Sequence, residues 1–323
     1  MANLDQLFDG SLDEKMDFLE EKKATSNDGL YKVDLSKVKD KKKGYRSVVR
    51  FLPNLTQEKK LGQSAIEKIS HYVKLPNAKE LNGYYDSPKN FGEECPLTTL
   101  FYSMQNSKNA VLIEKSKALN YSRKYYSYVL VLEDEQQPEL VGKILVMQYG
   151  KTIKDKISAE KNGDISGEPC NVFSLTEGKD FVLVVKEIST GDTTYPDYKM
   201  SMFKPTTSSM PIYSEKADEF KNIPLTDEGK VSPKAQEKVT DFLLSRDVEV
   251  EDFGPKPLTE DQQAKISEIT NLLTGKATSN FTSSSGSSEK QPESKDFDFE
   301  DNFDEDASEA STVEEEDDFF DDL

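Results

Sequence analysis

Between Tyr121 and Tyr128 four tyrosines stand with Arg123 and Lys124, and Val129, Leu130, Val131 and Leu132 follow directly. β-branched and large apolar residues predict a strand for the second half. In a strand, alternate residues share a face, so Tyr121, Arg123 and Tyr125 lie on one side and Lys124, Tyr126 and Tyr128 on the other. Rings separated by a guanidinium suit unpaired nucleic acid: bases stack on the rings and cations meet the phosphates. The plainer alternative, tyrosines filling a sheet whose edge is solvated by basic residues, stays open on this run alone.

Three more segments repeat the combination. Lys39, Lys41, Lys42, Lys43, Arg46 and Arg50 surround Tyr45 and the apolar run Val48–Val49. Tyr149 is followed by Lys151, Lys154 and Lys156, and Tyr195, Tyr198, Lys199, Phe203 and Lys204 close the series. The chain has no tryptophan, so tyrosine is the main stacking candidate.

Charge is divided to match. The 323 residues carry a formal net charge of -19. From Gln291 to Leu323 there are 16 acidic residues against one lysine, whereas residues 31–204 hold 28 Lys or Arg against 22 acids. An acidic chain therefore has a basic middle, which is a statement about partners.

Catalytic patterns are missing. His71 is the single histidine, which removes most His-centred nucleophile, acid–base and metal schemes. The sequence contains no Gly-rich phosphate-binding motif of the Walker or dinucleotide type. Cys95 and Cys170 make no disulfide framework, which predicts a reducing compartment. The first residues read as neither a secretory signal nor a membrane span, so a cytoplasmic protein without membrane contact is expected.

The elements that must position these residues are mostly strands. From Gly29 to Phe203 the texture is β, with strands joined by uneven turns, which predicts an antiparallel barrel or sandwich; with the basic aromatic clusters the expectation is an OB-type barrel core over 29–210 with appended helices, α+β overall. Residues 82–120 read as irregular. Residues 1–28 predict short amphipathic helices, with Leu4, Leu7 and Phe8 as one apolar set, assigned to self-association. Residues 211–275 predict a helical extension: one helix from a Ser214 cap, one from Ser232 and Pro233, and one opened by a Thr259–Gln262 capping box and closed at Gly275. Residues 276–295 form a Ser-rich linker, and 296–323 an acidic tail punctuated by Phe297, Phe299, Phe303, Phe319 and Phe320.

The order of "VVRFLP" (48–53), "SYVLVLED" (127–134), "YGKTIKDKI" (149–157), "EGKDFVLVVKEIS" (177–189) and the Tyr198-x-x-Ser201-x-Phe203 pattern resembles the T-even-type phage single-stranded DNA-binding (helix-destabilising) protein family. The resemblance implies an OB-fold core with a basic aromatic cleft, cooperative and sequence-independent binding, and no catalysis. It implies roles in phage replication, recombination and repair, in the cytoplasm of an infected bacterial host. It assigns cleft roles to Arg50, Arg123, Lys124, Tyr125, Tyr195 and Tyr198, to which the basic clusters add Arg46, Lys151 and Lys199. A family aromatic falls at Met147, with Tyr149 as its substitute. Tyr125 is expected in the cleft and Tyr126 nearer the core.

The family's prototype holds zinc with one His and three Cys. Here His71 and Cys95 are kept, but Thr98 stands at a cysteine position, so no zinc and no other cofactor is expected. The prototype's basic N-terminal arm is replaced by an acidic, apolar start, which leaves the mode of self-association open. The resemblance also implies that the tail, through Asp317, Asp318, Phe319, Phe320, Asp321 and Asp322, docks a polymerase, helicase loader, primase or recombination mediator.

Overall fold

The structure is a computed structural model, and it describes residues 7–8, 29–38, 43–164, 167–190, 193–214 and 219–275. The linker, the acidic tail and most of the first 28 residues lie outside that set.

A 14-residue strand organises the molecule. β5 (Tyr121–Asp134) pairs antiparallel with three strands: β3 (Ile66–Val73), β6 (Ile144–Tyr149) and β2 (Tyr45–Phe51). β2 in turn pairs with β7 (Asp180–Thr190), which pairs with β8 (Thr193–Asp197) and β9 (Met202–Phe203). β1 (Leu30–Tyr31) runs parallel to β6, and β4 (Gly83–Asp86) edges β3. Mixed α and β structure, mostly strand, is as expected. The β2–β5 ladder shifts register between Val48 and Val49, opposite Glu133 and Val131, leaving one extra residue on β5 there.

Both faces of this sheet are covered. One face carries an aromatic core: Phe51 lies edge-on to Tyr149, Phe173 and Phe181 at centroid distances of 5.7 Å. The other carries an aliphatic core, with Tyr128, Leu130 and Val146 from the sheet and Val231, Val239 and Leu243 from the extension. Leu7 and Phe8 are buried in this second core, and the Phe8 carbonyl accepts from Val231 N at 3.0 Å. Those two apolar side chains are thus occupied within their own chain.

Residues 82–120 are not irregular. They hold α1 (Pro96–Gln105) and α2 (Ala110–Ser116). Pro96 starts the first at N1, and Leu97, Leu100, Phe101 and Met104 recur at helical spacing toward a third core. α3 (Lys151–Asn162) follows β6 without a loop. The helix expected from Ser214 is instead the hairpin β10 (Pro211–Ser214) and β11 (Glu219–Asn222), where Tyr213 faces Phe220 across the pair. Cross-strand ring packing outweighed the cap signal there. α4 (Pro233–Leu244) and α5 (Glu260–Thr274) form as expected, the latter with both capping-box bonds and Gly275 in the left-handed region.

Buried polar groups fasten the pieces. Arg246, in the extension, donates to the carbonyls of Leu243 and Leu55 and to Glu249, and its guanidinium lies 4.3 Å from the Tyr128 ring centre. Tyr31 and Tyr45 both donate to Asp134 Oδ2, tying the short strand β1 to the end of β5. Glu160 and Lys179 form a buried ion pair at 2.5 Å.

Burial pushes the hydroxyl of Tyr126 up to about 12 and those of Tyr31, Tyr45 and Tyr128 higher still. The unfolded chain loses these protons first, so it holds fewer protons than the fold above the ordinary tyrosine range, and stability must fall as pH rises. The expected result is a urea midpoint that is flat to pH 9.5 and drops between about pH 10 and 12. A flat profile through pH 12 would count against these hydroxyls being buried.

Candidate nucleic-acid interface

The alternation read in β5 is realised. Tyr126 is 8 % exposed and stacks on Phe253 at 5.9 Å, with its hydroxyl donating to Gln148. Tyr125 is half-buried on the opposite face. Its ring stacks on Tyr149 at 5.8 Å with planes 21° apart, and its hydroxyl donates to Glu67 at 3.1 Å. Arg123 sits beside it, 3.4 Å from the same Glu67 carboxylate, and Arg123 Nε donates to Tyr121 Oη at 3.4 Å. Burial, then the Glu67 charge, push the Tyr125 hydroxyl up to about 12. Tyr121 in turn lies on Phe101, at 5.9 Å and 21°. One face of β5 therefore presents Tyr125, Arg123 and Tyr121 as a half-buried row, each ring backed by another ring.

The row continues beyond Tyr125. Tyr125 and Tyr198 both pack against the aromatic core that contains Tyr149 and Phe203. Gly150 caps α3, which places Lys151 directly after the ring under Tyr125. Lys151 lies 3.3 Å from Asp155, and Lys156 Nζ donates to the Lys199 carbonyl at 3.2 Å, holding the Tyr198–Lys199 turn against α3. Tyr195 is half-buried in β8 opposite Ile188.

Other expected site residues stand elsewhere. Tyr149 is 4 % exposed, shares a 2.8 Å hydrogen bond with Ser127 and serves as the floor beneath Tyr125. Met147 is buried in the same core. Arg50 is wholly buried: it lies 3.3 Å from Asp180 and donates to the Ser208 and Ser174 carbonyls at 2.7 and 3.2 Å. A Cβ at Gly178 would come within 2.5 Å of its Nη2, so glycine there makes room for the guanidinium. Arg46 is exposed and pairs with Glu133 at 3.3 Å, toward the other end of β2. Lys124 lies opposite Lys68 on the face of the sheet that Tyr125 does not share. Glu67, which the sequence does not single out, also stands in this row. Strand alternation placed Tyr121 beside Tyr125, but nothing local in the sequence marks Glu67. The tail residues Asp317, Asp318, Phe319, Phe320, Asp321 and Asp322 lie outside the described residues.

The residues at the prototype's zinc position do not fit that metal. His71 Nδ1 faces the Leu119 carbonyl at 2.8 Å, so it carries the proton, and Nε2 meets Thr98 Oγ1 at 2.9 Å. Both ring nitrogens are engaged, and Cys95 supplies one sulfur where a structural zinc wants four ligands. Among the described residues no group of three or more His, Cys, Asp or Glu is placed to hold a metal. None of their helices is long and apolar enough to cross a membrane.

Two substitutions separate floor from surface. Tyr126→Ala is expected to lower unfolding free energy by about 3–5 kcal/mol, as for other large rings lost from cores. Tyr125→Ala, half-exposed, is expected to cost much less. Arg50→Met strips Asp180 of one partner but leaves it Lys204 at 3.1 Å. A loss of roughly 3 kcal/mol is expected, at the low end for a broken buried pair. Chemical denaturation of the three variants checks the order, and equal losses at Tyr125 and Tyr126 would reverse the face assignment.

A family model described as "gp32 DNA binding protein like" matches residues 43–243, which include β2, the whole of β5, α3 and the Tyr195–Lys199 segment. The single-stranded DNA-binding protein of Enterobacteria phage T2 is 30% identical over 165 residues, covering 48% of this chain and 49% of that protein. Its counterpart in Enterobacteria phage T4 is 29% identical over 165 residues, covering 48% and 50%. The chain thus spans about half the length of these relatives in alignment. Both names denote binding rather than catalysis. With the family match extending over more than half of its residues, the chain belongs to the gp32-like DNA-binding protein family.

Proposed function

We propose that this protein is a non-catalytic single-stranded DNA-binding protein that coats unpaired DNA without sequence preference during phage replication, recombination and repair, in the cytoplasm of the infected host. The observation that carries the reading is the half-buried row Tyr125–Arg123–Tyr121 beside the lysines of α3 and the Tyr198–Lys199 turn. Ring faces accept any base, cations track the backbone, and a fixed aromatic floor holds the rings ready. The sheet with its bulged, three-partnered central strand is consistent with an OB-type core. The kinship to phage proteins named for this activity supports the same substrate.

Labelled oligo(dT) should bind far better than duplex of equal length, with affinity falling as salt rises. Tyr125→Ala should weaken that binding about 5- to 100-fold, the worth of one stacked base, with little change in melting temperature. Equal binding of duplex and single strand, or none, would sink the reading. Glu67 occupies Arg123 and Tyr125 when no strand is bound, so an arriving phosphate displaces it. Glu67→Gln is expected to tighten oligo(dT) binding roughly two- to fivefold, in line with the ~0.5–1 kcal/mol of an exposed ion pair. Weaker binding would show that Glu67 helps the site rather than guarding it.

The protein is further proposed to bind other copies of itself along the strand. Its acidic tail competes for the basic surface until DNA displaces it, and then engages replication and recombination proteins. A Ser-rich stretch of 18 residues, Thr278 to Lys295, separates the tail from the end of α5. Truncation after Gly286 should raise oligo(dT) affinity, most at low salt. Unchanged affinity together with retained partners would make the tail a solubilising appendage. No zinc is needed: elemental analysis should find none in stoichiometric amount, and a chelator should leave the melting temperature unchanged.

A further inference from the structure

We propose that the outer face of the β3–β4 hairpin, centred on Tyr72 and Tyr84, is a second contact surface for the same single strand. This rests on the function proposed above. Tyr72 and Tyr84 are directly opposed across the two strands, with ring centres 4.6 Å apart. Tyr84 is 74 % exposed, the most exposed large hydrophobic side chain among the described residues. An exposed ring of that size gains little by burial and is not needed as core.

The face is the one that the Tyr125 row does not use. Tyr72 alternates with His71, whose buried ring meets Thr98 of α1, so Tyr72 and Tyr84 point away from the third core. Ser70 and Lys68 follow Tyr72 at strand spacing on the same face, opposite Ser122 and Lys124 of β5. Lys74 is exposed immediately beyond Tyr72's end of β3. The carboxylate of this patch, Asp86, is neutralised by Lys68 at 3.1 Å. At the other end, Phe253 covers Tyr126, and Lys256 N donates to Asp86, so the covered part stops short of the tyrosine pair. What remains open is two rings with Lys74 beyond them at strand spacing, while Lys68 is held by Asp86 and the Gly254 carbonyl. Positive charge and sequence-tolerant rings favour nucleic acid over an apolar protein partner. Lys124, which strand geometry separates from Arg123 and Tyr125, gains a role on this face.

One strand, β3, lies between β5 and the β4 edge, so the edge is about 10 Å from β5, and the two surfaces are on opposite faces of the sheet. A strand that fills the first row can reach the second surface only if it is longer than the row itself. The test uses full-length protein and oligo(dT) of about 6 and about 20 nucleotides, one near the lower end of the usual site sizes for one such domain and one beyond the upper end. Tyr84→Ala is expected to weaken binding of the long oligonucleotide roughly five- to tenfold and to leave the short one unchanged. Tyr84→Ala with Lys74→Gln should also lower the salt slope for the long one by about 0.7, the contribution of one phosphate contact. Equal affinities for both lengths in wild type and variants would overturn the proposal. A melting-temperature loss with unchanged binding would do the same, leaving the rings as a cross-strand staple. A change confined to self-association of DNA-free protein would assign the face to a second copy and overturn it too. If wild type binds no single strand, the proposed function fails and takes this surface with it. If only Tyr125→Ala weakens binding, the function stands and this surface alone is rejected.

Discussion

Strand alternation inside β5 is the constraint on which the remainder of this molecule depends. The strand exchanges partners along its length: β3 holds its first residues, β6 its middle and β2 its end. Because side chains alternate with period two, a slip of one residue would exchange the Tyr125 and Tyr126 environments throughout. The three ladders fix the register independently. The apolar end is buried on both faces, so slippage there would expose Val129 or Leu130 to the wrong core. The chemistry of the polar end is thus held in place by the packing of the other.

Rigidity of the candidate interface comes from what lies beneath it. Tyr125 rests on Tyr149, Tyr149 on Phe51, and Phe51 on Phe173 and Phe181. A half-exposed ring normally samples several rotamers, and ordering it on binding has an entropic cost. A ring already stacked on a fixed floor has lost that freedom during folding. Arg50 belongs to the floor as well. Its guanidinium joins β2 to Asp180, Ser174 and Ser208 below the surface, where it organises the backbone around the aromatic core.

The segment around His71 and Cys95 is held by packing and hydrogen bonds. His71 bridges Leu119 and Thr98, while α1 and α5 bury Leu97, Phe101, Ile266 and Ile269 against β3 and β4. Apolar area and hydrogen bonds hold this part of the fold together. The helices needed for that lie partly in the extension, which shares cores with the sheet.

The sequence by itself determined the β-rich core, the two C-terminal helices and the face of β5 that carries Tyr125. Each of these rests on local rules: period-two alternation, Pro at N1, a capping box and a terminal Gly. It also marked the aromatic and basic residue types and their order, enough to indicate the family. Only the tertiary structure decided which of those residues meet. Arg50 and Tyr149 have the same local pattern as surface residues, yet Asp180, Ser208 and Phe51 arrive from distant segments and enclose them. Glu67 reaches Arg123 and Tyr125 only because β3 pairs with β5 across more than fifty residues of chain. The hairpin at 211–222 was hidden for the same reason, since a cap is a local signal and a cross-strand ring pair is not. Burial and pairing are sums over the whole chain, and no short stretch contains them.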